Sequence, residues 1–180
     1  MKAAAAATST ITGGKLDVLI NNAGLVSQIS DFKTILDLYV SSVPLLVEMP
    51  VQIAKSISSD SALQIQEDDF LESFKVNALG LVNVVHAFLP LVRQGRVKKV
   101  VNLSTGIADL NLIHEIDFDV GAPYAASKAA ANVIIAKYAA ALKKEGILFL
   151  SLSPGYVSTE ANLAGKNAHP VLSISLKPEQ

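Results

Sequence analysis

The chain has 180 residues, 51% hydrophobic and 17% charged, with a formal net charge of −1, so it fits one domain with a real core and excludes disorder as the main state. Fifteen basic residues balanced by 16 acidic ones, at a sequence pI of about 6.3, leave no electrostatic footprint for nucleic acid. The absence of cysteine removes disulfides, thiol nucleophiles and thiolate-bound metals.

At the N-terminus, Met1-Lys2 precedes an alanine run, Ala3 to Ala7. It is too weakly apolar for a signal-peptide core and too poor in positive charge for a transit peptide. No run reaches the ~18 apolar residues of a spanning helix. The longest candidate, Leu81 to Val92, is broken by Asn83, His86 and Pro90. The expectation is a soluble, cytoplasmic protein with no membrane partner.

Leu16 to Ile20 is a short apolar run closed by Asn21-Asn22-Ala23-Gly24, the pattern of a buried strand ending in a turn. Residues 25–61 mix apolar residues, serines, Pro44 and Pro50 without sustained periodicity, and are expected to be an irregular insertion. Glu67 to Arg93 has mostly helical apolar spacing, with Asp68 and Asp69 suiting its start and Pro90 predicting a kink or an early stop. Lys98 to Ser104 reads as a second strand. Pro123 suits a first helical turn, and a helix is predicted over Tyr124 to Glu145, stopping at Gly146. Ile147 to Leu152 is a third strand, ended by Pro154-Gly155, and 160–180 is expected to be a loose tail. Alternating strands and helices imply a parallel sheet with right-handed crossovers.

Ligands of open parallel sheets bind beyond the carboxyl ends of the strands. Asn22, Ser104, Thr105, Pro154 and Gly155 all fall there. Tyr124 and Lys128 open the following helix, one turn apart on one face. An ammonium beside a phenol favours the phenolate. Bringing a tyrosine from about 10 to about 7 needs roughly 4 kcal/mol, of which one cation supplies only part. Such a tyrosine donates and accepts protons for a carbonyl–alcohol pair, while a hydroxyl from Ser104 or Thr105 holds the carbonyl oxygen. His86, His114 and His169 show no ligand spacing, and no metal is expected.

Taken together, these residues resemble the short-chain dehydrogenase/reductase family. The match runs in order through Asn21-Asn22-Ala23-Gly24, Asn77, Asn102-Leu103-Ser104-Thr105, Tyr124-x-x-x-Lys128 and Pro154-Gly155-Tyr156-Val157-Ser158-Thr159. With four tyrosines, a Tyr-x-x-x-Lys pair alone arises by chance roughly once in four such chains, but five elements in order do not. The Ser104-Thr105-Gly106 and Ala108-Asp109 context and the spacer Leu110 to Val120 look like a fungal-type branch.

The resemblance implies Tyr124 as acid/base, and Lys128 as ribose ligand that lowers the phenol's pKa. It implies Asn77 as holder of a relay water, and Thr105, with Ser104 beside it, as the substrate-orienting hydroxyl. Asn22, Ala23, Gly24, Tyr124, Lys128, Pro154, Gly155, Val157 and Thr159 are the implied cofactor contacts. The implied cofactor is NAD or NADP, with NADP slightly preferred, and the implied substrate is a small carbonyl or alcohol. The implied fold is α/β: a partial Rossmann-like parallel sheet with flanking helices, its N-terminal half missing. The family's strand–glycine loop–helix, which cradles the pyrophosphate, has no counterpart here, and Thr12-Gly13-Gly14-Lys15 precedes a strand instead of following one. The whole chain, 1–180, is therefore expected to be a single incomplete, truncated dinucleotide-binding domain.

Two function classes stay open: a nicotinamide-dependent oxidoreductase, and a catalytically silent remnant or scaffold that cannot hold the dinucleotide. The helices 67–93 and 124–145 are expected to cover one face of the sheet. Val18, Ile20, Val101, Leu103, Leu148 or Leu150, on the other face, should then include partly exposed residues. Association follows from that exposure, and the two helices are the expected surface for a homo-oligomer.

Overall fold

Three short runs of branched and aromatic residues without helical spacing supply the strands. A computed structural model describes residues 1–26, 34 and 59–155, with 59–66 as backbone alone. In it β1 (Val18–Asn21), β2 (Lys99–Leu103) and β3 (Leu148–Leu152) lie side by side in that order, all parallel. The fold is the expected partial Rossmann-like α/β arrangement.

The register sets Leu19, Val100 and Phe149 side by side, and two residues on it aligns Asn21, Asn102 and Ser151. A strand's side chains alternate between faces, so both rows share one face. The first row is buried against Leu81, Val85 and Val92 of one long helix and Ala131 and Ile135 of another. Both helices thus cover the same face, as right-handed crossovers require. On the other face Ile20 is 61% exposed, Leu148 and Leu152 are 49% exposed, and Val18 is 39% exposed. The expected exposure is therefore found among the described residues.

Helix α1 (Lys2–Thr12) precedes β1 and ends on Gly13, whose left-handed conformation lets its N–H reach the Ser9 carbonyl. Helix α2 (Ser59–Phe74) begins earlier than predicted and takes the last residues of 25–61 out of the irregular stretch. Ser59-Asp60-Ser61 are residue types that suit a helix start. The rest of that stretch, apart from Leu25, Val26 and Thr34, and the tail 160–180, lie outside the described residues. One π-helical turn (Lys75–Leu79) joins α2 to α3 (Gly80–Gln94).

Helix α3 carries Pro90 within it and ends at Gly95, so the early stop does not occur. Val85 and Val92, on either side of the proline, are fully buried in the core. The carbonyl that Pro90 leaves unbonded belongs to His86, on the exposed side where water can serve it. By length and composition alone the helical stretch Glu67–Gln94 is long and apolar enough to cross a membrane, a test that the core helix of a folded domain also passes. Its Leu81, Val85 and Val92 lie in the core over the sheet.

The spacer Leu110 to Val120 contains a helix that its composition did not announce, α4 (Leu110–Ile116). Asp109 caps it, accepting the Asn111 N–H at 2.8 Å. Helix α5 (Ala122–Ala141) has Pro123 in its first turn, and a 3-10 turn (Lys143–Glu145) then carries the chain to left-handed Gly146.

Candidate active site

The site is assembled where the sheet's carboxyl edge meets the π turn and the start of α5. Its floor is the polar row of the sheet. Asn21 Nδ2 donates to Asn102 Oδ1 at 3.0 Å, and Asn102 Nδ2 reaches Ser151 Oγ at 3.5 Å. Asn21 and Asn102 are buried, so this pairing satisfies amides that burial would otherwise penalise.

Beyond Asn21 the chain passes through Asn22, Ala23 and Gly24, all exposed, to Leu25. Asn77 grips Leu25 by both backbone groups. Its Oδ1 accepts the Leu25 N–H at 2.7 Å, and its Nδ2 donates to the Leu25 carbonyl at 2.9 Å. The same Nδ2 donates to Ser127 Oγ at 2.9 Å, and Ser127 Oγ donates to the Tyr124 carbonyl at 2.7 Å. Asn77 and Ser127 are each 1% exposed. Asn77 sits within the π turn, where one extra residue re-aims a side chain.

Lys128 lies one turn beyond Tyr124 and is only 4% exposed. Its Nζ donates to the Leu103 carbonyl at 2.8 Å and lies 5.8 Å from the centre of the Tyr124 ring. Gly24 comes close from the other side. A Cβ there would lie 3.1 Å from Lys128 Nζ and 3.4 Å from Asn77 Oδ1, so only glycine lets the loop approach the lysine without displacing it.

Electrostatically the pair differs from expectation. Burial pushes the Tyr124 phenol above its ordinary value, and burial pushes the Lys128 ammonium below its own. The ammonium donates to the Leu103 carbonyl, and the half-buried ring beside it is partly withdrawn from water, which disfavours the phenolate. In the chain by itself, burial thus acts against the lowering of the phenol that the Tyr124/Lys128 spacing leads one to expect.

Ser104 follows β2, and its N–H donates to the Leu152 carbonyl at 2.8 Å. Its buried hydroxyl has no hydrogen-bond partner among the described residues. Thr105 follows, half-buried, and its hydroxyl does not cap the 3-10 turn Gly106–Ala108 that it precedes. Pro154 and Gly155 stand exposed after β3, while Val157 and Thr159 lie outside the described residues.

The structure thus brings Gly24, Asn77, Tyr124 and Lys128 together. It adds three participants that sequence reasoning missed: Ser127, the Asn21–Asn102 pair and the Leu103 carbonyl. Ser127 carried a signal, a small hydroxyl residue three positions after Tyr124 inside an alanine-rich turn. Asn21 and Asn102 carried another, each being the first amide after an apolar run. Among the described residues no group of His, Asp or Glu could hold a metal ion.

The family profile described as short chain dehydrogenase matches residues 1–168. The chain is 43% identical over 159 residues to the short-chain dehydrogenase/reductase AacuF of Aspergillus aculeatus, covering 88% of this chain and 51% of that protein. It is 39% identical over 159 residues to the short chain dehydrogenase virK of Hypocrea virens, with the same coverage, 88% and 51%. The chain therefore spans about half the length of the curated relatives it matches. The fold is similar to that of the NADPH-bound carbonyl reductase from chicken fatty liver, with a TM-score of 0.58 at 20% identity over 86% of this chain and 52% of that one. It is similar also to the carbonyl reductase Sniffer of D. melanogaster, with a TM-score of 0.59 at 18% identity over 89% of this chain and 56% of that one. A profile match over nearly the whole chain and relatives of this identity make the chain a member of the short-chain dehydrogenase/reductase family.

Proposed function

We propose that this chain carries the proton-transfer and ribose-binding part of a cytoplasmic nicotinamide-dependent oxidoreductase that interconverts a small carbonyl compound and its secondary alcohol. One observation carries the reading: a buried lysine, bonded to the Leu103 carbonyl, is set beside the Tyr124 ring and against Gly24. Burying an ammonium that has no carboxylate partner among the described residues is costly, and a binding role accounts for that cost.

The residues present fit the ribose and nicotinamide end of NAD or NADP. Gly24 leaves room beside Nζ that a Cβ would fill, and Lys128 spends one N–H on Leu103, leaving others to donate. Lys128, Asn22, Ala23 and Gly24 would hold the ribose side, and Pro154, Gly155, Val157 and Thr159 would flank the nicotinamide. When bound, the dinucleotide supplies or accepts the hydride.

Tyr124 gives its phenolic proton to the carbonyl oxygen in reduction and takes it from the alcohol in oxidation. A neutral phenol, kept so by burial, suits the reducing direction at neutral pH. The hydroxyl of Thr105, or of Ser104 beside it, orients the substrate oxygen, and the unpartnered Ser104 Oγ is free to do so. Asn77 fixes the turn through its amide and holds a relay water.

Titration with NADPH and NADH tests this reading, helped by the absence of tryptophan background. Weak binding is expected, with Kd above about 10 μM, and further weakening in Lys128→Ala. Binding that Lys128→Ala leaves unchanged would remove the lysine from the site. The silent-scaffold reading is favoured by one observation, the exposed apolar face of Val18, Ile20, Leu148 and Leu152. It predicts no binding even at about 1 mM dinucleotide.

We also propose that copies associate through the outer faces of α2, the π turn and α5. Leu71 and Val133 are each 59% exposed there, with Phe74, Val76 and Leu79 beside them. An apolar surface of this kind marks an interface. Light scattering should report a dimer or larger species, and a Leu71→Glu, Val133→Glu variant should scatter as a smaller one. A wild-type monomer at high concentration would overturn the proposal.

A further inference from the structure

The hydrogen bonds around Ser127 form a bridge with a direction. Asn77 holds both backbone groups of Leu25, and the same amide donates to Ser127 Oγ at 2.9 Å. Ser127 in turn donates to the Tyr124 carbonyl at 2.7 Å. The loop Asn22 to Leu25 and the first turn of α5 are therefore joined through one fully buried hydroxyl. Among the described residues no other hydrogen-bond path links that loop to α5. The same loop carries Gly24, where a Cβ would stand 3.1 Å from Lys128 Nζ, so loop and lysine face each other across the space glycine leaves.

We propose that Ser127 is a positioning residue, which sets the height of the Tyr124–Lys128 turn against the Asn22–Leu25 loop by accepting from Asn77 and donating to the Tyr124 carbonyl. The inference deepens the oxidoreductase reading and rests on it for its catalytic meaning. Its structural content stands on the bonds alone. Removing Oγ leaves one Nδ2 hydrogen of Asn77 without its acceptor in a site closed to water. Asn77 then swings toward a new partner, and its hold on Leu25 loosens. Tyr124 and Lys128 stay in place chemically, but the loop that faces them is no longer held at one distance.

Three proteins test this: wild type, Ser127→Ala and Ser127→Thr, each as the full chain. Amide exchange is read at Leu25, with Val100 in the middle of the sheet as the internal control. Ser127→Ala should speed exchange at Leu25 about tenfold and leave Val100 unchanged, while Ser127→Thr, which keeps the hydroxyl, should return Leu25 toward wild type. In turnover, Ser127→Ala should raise the KM for NADPH about tenfold, with a smaller fall in kcat, and Ser127→Thr should restore both. Unchanged exchange at Leu25 in Ser127→Ala would overturn the bridge whatever the kinetics show. Equal acceleration at Leu25 and Val100 would overturn it too, because the effect would then be global loss of stability. A wild-type chain that neither binds NADPH nor turns over defeats the oxidoreductase reading, while the exchange result still decides on the bridge.

Discussion

Tyr124→Phe is expected to lower turnover about a thousandfold and to leave the fold intact. Only the phenolic oxygen is removed, and no hydrogen bond within the described residues is made by it. The ring keeps its place over Lys128, and Ser127 still donates to the residue's backbone carbonyl. Circular dichroism and the melting midpoint should match wild type, while initial rates of carbonyl reduction collapse. The pH dependence of the wild type has a definite sign. Burial raises the phenol above its ordinary value of 10.0, so at neutral pH Tyr124 is protonated, as the proposed acid of reduction would have to be. Alcohol oxidation needs the phenolate and should climb as pH rises into the alkaline range, while reduction falls there. A residual rate in Tyr124→Phe that keeps the same pH limbs would place the acid/base elsewhere.

Gly95→Ala should cost about 3 kcal/mol and lower the melting midpoint by roughly 10 °C. Gly95 is buried where α3 turns back under β1. A Cβ there would run into the Leu16 carbonyl oxygen, lie 2.8 Å from its carbon and lie 3.1 Å from Asp17 Cα. The obstacle is backbone, and it cannot retreat. The Leu16 N–H is bonded to the Leu91 carbonyl at 3.0 Å, and Asp17 Oδ1 accepts the Arg96 N–H at 2.6 Å. Gly80→Ala is the contrasting case. Its backbone is helical at φ −56°, the nearest atom to a new Cβ is the Lys75 carbonyl oxygen at 3.7 Å, and a gain of about 0.5–1 kcal/mol is expected. Urea melts of the two variants beside wild type would show the opposite signs. A Gly95→Ala chain as stable as wild type would mean that Leu16 does not approach Gly95 so closely.

What the sequence made legible was local. Leu16 to Ile20, Lys98 to Ser104 and Ile147 to Leu152 announce strands through short runs rich in apolar residues, and Tyr124 and Lys128 announce a shared face through their spacing. Lateral facts were not legible. That Asn21 meets Asn102 depends on the strand register, which no residue near either one encodes. Ser127 lies 50 residues from Asn77, and nothing in the alanine-rich turn says which side chain it will meet. The π turn at Lys75–Leu79 was hidden because the apolar positions of a long helix tolerate one extra residue without losing their stripe. The Lys128 spacing foretold closeness to Tyr124 but not the ammonium's turn toward Leu103, and that turn lets burial decide the state of the phenol.

The amide row across the sheet also governs how the strands find one another while the chain folds. Partners in β1 and β2 such as Asn21 and Asn102 are 81 residues apart, so their pairing forms late and could settle in more than one alignment. A slip of one residue turns every side chain to the wrong face. A slip of two keeps the faces and is the more dangerous error, since apolar residues would still meet apolar neighbours along most of the strand. In this sheet that slip would set Leu19 against Asn102 or Asn21 against Val100. Each such mismatch strands a buried amide at about 1–3 kcal/mol, a penalty that steers the strands away from the shifted alignment before any ligand is present.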